Sequence, residues 1–430
     1  MCMLSKQSKT MNNSMKRTIF TLLATVMMTA GASAQETELT EFTNLWELDS
    51  VTVDSMYNYW DAYVLVHPKE ELAWRKLFEV SEQKKNNRLY KTKDWQTAQD
   101  YRKQMNVVGR MEQAIPNTYT FYYSAYVGGF NPDVPEGSDV MTLFMHRDDY
   151  ADAAITSLPA NALASDYELW AQYLIEKNDT LRLTRLLTDY YESGQYPEEA
   201  LQYHFNELQG MDEGGVYIGA HEGDILGKLI LQLVLGVHRD KILYDENAAM
   251  NPDYLKAAFG SIGIPFDDQV WDQLHATIRQ DKTLTAIMRY IFDHSRRPVY
   301  LSAHNMQQLI LGQGLPDELK ARLYNEGLTM RYSTRPYDNR SVKRRNMEQR
   351  YRLEYLRMTF HPQPKKDVRF FQFPAWAYAM NYLRLLHDQL PYYKQHNRER
   401  YQWLHDIFTD IIDRLEKENY DVDEFKGYLK

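Results

Sequence analysis

Between Gly214 and Ser302 the sequence alternates in a way that few architectures accept. VYIGA (216–220), KILY (241–244) and PVYLS (298–302) are short apolar runs rich in strand formers, and stretches with helical spacing separate them. Strand, helix, strand, helix, strand predicts a small parallel sheet with right-handed crossovers. The first crossover, Ile225 to Leu235 (ILGKLILQLVL), is apolar on most sides and reads as a buried helix. Further helices are expected over 252–260, over 267–276, from Thr283 to His294 and from about Asn305, and a last short strand near Thr329–Tyr332.

On either side the texture is helical. Tyr57–Val66 and Glu70–Glu82 carry apolar residues three and four apart, with His67-Pro68 between them. Asp166–Glu176 and Leu181–Ser193 form a second pair around Lys177-Asn178-Asp179, with Gly194 as a stop signal and Pro197 opening the next helix. HPKEELAWRKLFEV (67–80), SDYELWAQYLIEKND (165–179) and YYESGQYPEEALQYHFNEL (190–208) give this region a tetratricopeptide-like flavour, without the strict period of about 34 residues. An ordinary helical bundle has the same signs. From Val342 the chain is helical again, ending in a periodic helix from Arg398 to Glu418. The expected class is α plus α/β: a segment removed at 1–34, a helical tetratricopeptide-like region at 35–210, an α/β domain with a parallel sheet at 211–335, and C-terminal helices at 336–430.

The first segment reads as an export signal. Lys16 and Arg17 precede the apolar stretch Ile19–Ala30, and Ala32-Ser33-Ala34 is a cleavage pattern, so Gln35 is the expected mature N-terminus and Met15 a candidate initiator. A buried helix or a membrane anchor is the competing reading. The only cysteine, Cys2, falls in the segment to be removed. The mature chain then has neither disulfide nor thiolate chemistry, and its length lets it bury a core without staples. Removing 1–34 takes away four bases and no acids, leaving 46 basic against 59 acidic residues, a net charge of about −13. That balance argues against nucleic acid as a partner. Later stretches fall short of the roughly 18 uninterrupted apolar residues of a membrane span, so the mature chain is expected to have none.

Ligands bind beyond the carboxyl ends of the strands in open parallel sheets. Here those ends read Ala220-His221-Glu222-Gly223-Asp224, then Asp245-Glu246-Asn247, then Ala303-His304-Asn305. His221, Glu222, Asp224, Asp245, Glu246, His304 and Asn305 are therefore the candidate ligand-binding residues. Imidazoles with carboxylates suit a divalent metal or a general acid and base. The blander reading makes Asp224 and Asn305 helix N-caps and Gly223 a turn residue. Neither metal nor cofactor is assigned. The helix end near Ile225 favours an anionic or carboxylate-bearing ligand over a bare metal. The sequence lacks G-x-G-x-x-G after a strand, G-x-S-x-G and H-E-x-x-H. A basic run from Arg331 to Arg357, interleaved with Tyr332, Tyr337, Tyr351 and Tyr355, suits anionic polymers or sugars, or else forms a solvated face.

VYIGAHEGDILGKLILQLVLGVHRDKILYDE, the Arg297-Pro298-Val299-Tyr300-Leu301 strand and the Tyr337-Asp338-Asn339 step together resemble the soluble C-terminal region of bacterial protein O-mannosyltransferase-like multi-pass membrane proteins. The likeness spans about 210–332. It departs from that family at the first turn, where His221, Glu222, Gly223 and Ile225 replace the family's residues and Asp224 alone matches. The membrane part that would transfer sugar has no counterpart here. The resemblance implies a fold and an envelope setting without transferase activity. The expected protein is an exported, periplasmic or extracellular, non-catalytic binding or accessory protein linked to glycan or glycoprotein processing, with an envelope protein or a glycan-related ligand as its partner. The alternative is an envelope hydrolase or transferase-associated enzyme using the strand-end crevice.

Overall fold

The computed structural model describes residues 50–87, 97–133, 147–219, 222–281, 285–302, 316–357, 375–417 and 421–429. The expected export signal at 1–34 lies outside them, as do His221, His304 and Asn305. The chain divides into two compact units, Met1–Asn161 and Ala162–Lys430. Among the described residues, no helix is long and apolar enough to cross a membrane.

The first unit is helical: α1 (Ser50–Val66), α2 (Glu71–Asn86), α3 (Thr97–Ala114), α4 (Tyr119–Gly128) and α5 (Arg147–Thr156). The apolar positions seen in the sequence meet here. Ala73, Trp74, Leu77, Phe78 and Val80 of α2 are buried against α1 and α3. Thr118 caps α4 by accepting from Phe121 N–H, and Gly129, at φ +64°, ends it in the left-handed region that favours glycine.

The second unit opens with α6 (Ala164–Glu176), α7 (Thr180–Glu192) and α8 (Glu198–Gly210). Asp179 caps α7 through Arg182 N–H, and Gly194 follows it at φ +70°. These three helices pack against the crossover segment 222–234, so the boundary between compact units falls at Asn161, upstream of the composition change near 210. A buried strand needs cover on both faces, and α8 helps to supply it.

The sheet then follows: β1 (Val216–Gly219), α9 (Glu222–Leu229, widening into a π turn at Ile230–Val234), β2 (Ile242–Asp245), α10 (Pro252–Ile262), α11 (Asp268–Asp281), α12 (Thr285–His294), β3 (Val299–Ser302), α13 (Asp317–Lys320), β4 (Leu323–Asn325) and β5 (Thr329–Tyr332). Strand order is β2-β1-β3-β5-β4. β1 pairs in parallel with β2 (Val216 beside Ile242) and with β3 (Val216 beside Val299). The expected all-parallel sheet is corrected at the other edge, where β5 runs antiparallel to β3 and β4 antiparallel to β5. The tight turn Glu326-Gly327-Leu328 accounts for the β4–β5 pairing: Asn325 accepts from Gly327 N–H at 2.8 Å, and so short a link joins only antiparallel neighbours. The sheet is thus mixed. β1 and β3 are buried at every residue.

The chain closes with α14 (Asn339–Arg345, running into a π turn to Arg350), α15 (Ala375–Leu386), α16 (Leu390–His396), α17 (Arg398–Lys417) and α18 (Asp423–Tyr428). α15 packs on α8 and α17. Asn206 of α8 donates to the Tyr382 hydroxyl of α15 at 2.8 Å and to the Arg352 carbonyl at 3.0 Å, tying the last helices to the sheet layer.

Candidate functional site

Parallel register brings the carboxyl ends of β1, β2 and β3 together. Gly219 lies beside Asp245, and its carbonyl accepts from Glu246 N–H at 3.1 Å. A Cβ at 219 would stand 2.5 Å from Cδ1 of Ile225, so the bare glycine is what lets α9 fold back over the strand end. α9 starts at Glu222, which corrects the reading of Asp224 as an N-cap: Asp224 sits inside the first turn of the helix. From there its Oδ2 accepts from the Ser302 hydroxyl at the end of β3, at 2.7 Å. Asp224 is 5% exposed and Ser302 fully buried.

Asp245 is buried at the end of β2. Its Oδ1 accepts from Asn247 N–H at 2.9 Å, and its own N–H donates to the Tyr254 hydroxyl at 2.7 Å. Glu246 is next in the chain. Burial pushes its carboxyl up to about 7, and the negative charges of Asp245 and then Asp224 add to the shift. Of the sequence-predicted residues, the structure therefore brings Asp224, Asp245 and Glu246 to one end of the sheet, with Glu222 opening the adjacent helix. Among the described residues, no group of three or more His, Cys, Asp or Glu side chains is arranged to hold a metal ion.

Beneath the site lies a charged cluster that sequence reasoning missed. Lys228, Glu207 and His204 are all fully buried. Lys228 Nζ donates to Glu207 Oε2 at 2.5 Å and to the Asp224 carbonyl at 2.7 Å, and it stands 4.1 Å over the Tyr217 ring. The Tyr217 hydroxyl donates to Glu207 Oε1 at 3.0 Å. His204 Nδ1 lies 2.8 Å from Lys228 Nζ and 2.9 Å from Glu207 Oε2. Nδ1 either carries a proton and donates to Glu207 Oε2 or is bare and accepts from Lys228, according to the tautomer. Burial pushes Glu207 up to about 7, Lys228 opposing and Asp224 reinforcing the shift. One signal was present: Lys228 is the single charge in ILGKLILQLVL, and an isolated lysine in a buried helix requires a partner. Gly227 makes the contact possible, because a Cβ there would overlap the His204 ring and the Tyr196 hydroxyl. The cluster thus braces the first turn of α9, and with it Asp224. From the C-terminal helices the Tyr378 hydroxyl reaches the Gly223 carbonyl at 3.3 Å.

Comparison with known families, with characterised proteins and with solved structures gives no match to this chain.

Proposed function

We propose that the chain is an exported binding or accessory protein of the cell envelope, without catalysis, whose strand-end site takes a hydroxyl-rich, glycan-related ligand. The observation that carries this reading is the convergence of Asp224, Asp245 and Glu246 beyond the sheet. Carboxylates accept hydrogen bonds from sugar hydroxyls, and a carboxyl that is half protonated near neutral pH both donates and accepts. The export pattern at 15–34 and the resemblance of 210–332 to an accessory region of O-mannosyltransferase-like proteins support the setting. In the same proposal the tetratricopeptide-like helices offer a surface for an envelope protein. The test is a glycan array probed with mature protein beginning at Gln35. Retention of neutral oligosaccharides, weakened about tenfold or more by Asp224→Asn with Glu246→Gln, supports the reading; two lost charge-assisted hydrogen bonds account for that size. Absence of any retained glycan sinks it.

One observation favours an enzyme as the second reading. A glutamate raised to about 7 beside acidic Asp245 and Asp224 has the form of a general acid with an ionised partner, as a hydrolase requires. Release of reducing ends from a retained glycan, lost in Glu246→Gln while binding persists, would decide for it.

A further inference from the structure

The basic, tyrosine-interleaved run from Arg331 to Arg357 is only half absorbed by the fold. Arg331 ion-pairs with Asp212 at 2.8 Å, Lys343 with Asp388 at 2.9 Å, and Arg350 donates to the Gly210 carbonyl at 3.0 Å. These are internal braces. Elsewhere on α14, Arg340, Ser341 and Arg345 are exposed and Arg344 is half-buried. The Arg344 guanidinium lies 4.1 Å over the Tyr392 ring of α16, and Tyr392 stacks on His396 with centroids 4.4 Å apart and planes 14° from parallel. Tyr392 is 37% exposed, and Arg340, one turn before Arg344, is exposed as well. On α17 the Arg400 guanidinium sits 4.8 Å over the Trp403 ring. α16 packs on α17, and Arg344 and Arg400 both lie within electrostatic reach of Tyr393 of α16. Glu348 accepts from the Tyr393 hydroxyl at 2.8 Å and is occupied there.

We propose that this face, built from Arg340, Arg344, Tyr392, His396, Arg400 and Trp403, binds an acidic polysaccharide. Flat aromatic rings give sugar rings a stacking platform, and planar guanidinium groups pair with carboxylate or sulfate in two parallel hydrogen bonds. The chain as a whole is acidic, with a net charge of −9. A dense polyanion such as nucleic acid is repelled by the rest of the molecule, whereas a sparsely charged glycan engages a local basic face. A membrane surface calls for apolar side chains that insert, and Tyr392 is the only large exposed hydrophobic residue on this face among the described residues. The proposal does not rest on the strand-end reading, because no residue is shared between the two sites.

The experiment is retention of mature protein on immobilised polygalacturonate, with dextran as the uncharged control and a single-stranded oligonucleotide and phosphatidylglycerol vesicles as rival polyanions. Wild type should bind polygalacturonate, and the binding should fade at a salt concentration of about 0.5 M, where charge interactions are screened within a few ångströms. Arg344→Gln with Arg400→Gln should weaken it roughly tenfold, and Tyr392→Ala severalfold, the loss expected from cation–aromatic pairs at exposed sites. Arg344→Lys keeps the charge without the planar fork and should fall between, with an unshifted thermal midpoint showing that the fold is intact. Equal retention on dextran, stronger retention on the oligonucleotide or the vesicles, or variants that bind as wild type would each overturn the proposal. Asp224→Asn with Glu246→Gln should leave this binding unchanged, which separates its failure from that of the strand-end site.

Discussion

Lys228 carries a full charge where its relative exposure is zero, held by Glu207, His204 and the Asp224 carbonyl. Replacing it with methionine leaves Glu207 buried without its cation, a loss of about 3–5 kcal/mol when one partner of a buried pair is removed. Glu207 escapes part of that cost by taking a proton. Chemical denaturation of Lys228→Met should therefore show a smaller deficit at pH 5 than at pH 8, and a deficit independent of pH would contradict the arrangement. Glu207 also sets a sign for wild type. Its carboxyl moves from an ordinary value of 4.5 to about 7 on folding. Between those values the folded state binds more protons than the unfolded one. Stability from this group is thus complete below pH 4.5 and lost as pH rises through 7, with a ceiling of about 3 kcal/mol. Glu246 acts in the same direction. Melting curves from pH 5 to 8 should show falling stability, and Glu207→Gln should flatten the slope.

At the scale of elements, close approach governs the site. α8 and α9 meet where Gly227 exposes backbone to the His204 ring and the Tyr196 hydroxyl. Gly227→Ala forces those buried groups aside and should cost about 1–3 kcal/mol by overpacking, measurable as a shift in the denaturation midpoint at constant slope. Much of this layer was legible in the sequence. VYIG, KILY and PVYLS announced three adjacent strands as short runs of strand formers; β1 and β3 are buried throughout, whereas β2, at the sheet edge, is buried only at Tyr244 and Asp245. β4 was not legible, since three half-buried residues (Leu323–Asn325) show neither alternation nor a run, and the antiparallel direction of β5 against β3, which makes the sheet mixed, leaves no mark in the residues of β5. Asp224 was read as a cap because Gly223 precedes it, yet α9 begins two residues earlier. Asp245 ends β2 and Glu246 follows it, where the topology put them, while Asp224 lies in the first turn of α9. Glu207 and Lys228 were not joined, because only packing brings together residues separated by 21 positions.

At the scale of the molecule, each compact unit has its own order. In the second unit, α8 lies between the sheet and α15, so the C-terminal helices support the site from behind: Asn206 links to Tyr382, and Tyr378 to Gly223. Loss of the Tyr382 hydroxyl, as Tyr382→Phe, leaves Asn206 and Tyr355 each short of one buried hydrogen bond and should lower stability by about 1–3 kcal/mol without touching the strand-end carboxylates. The expected export step is tested separately: N-terminal sequencing of protein recovered from the envelope should begin at or near Gln35, and an intact 1–34 segment would refute it.

The central claim is that the end of the sheet, with Glu246 poised near neutrality, is where the ligand binds. Calorimetric titration of the strongest neutral oligosaccharide from the array into wild type and Glu246→Gln, at pH 6 and pH 8, tests it most directly. The account predicts tighter binding by wild type at pH 8, where the ionised Glu246 carboxylate makes charge-assisted hydrogen bonds, than at pH 6, where it is mostly protonated, and weaker, pH-independent binding by the variant. Equal affinities for both proteins at both pH values would contradict it.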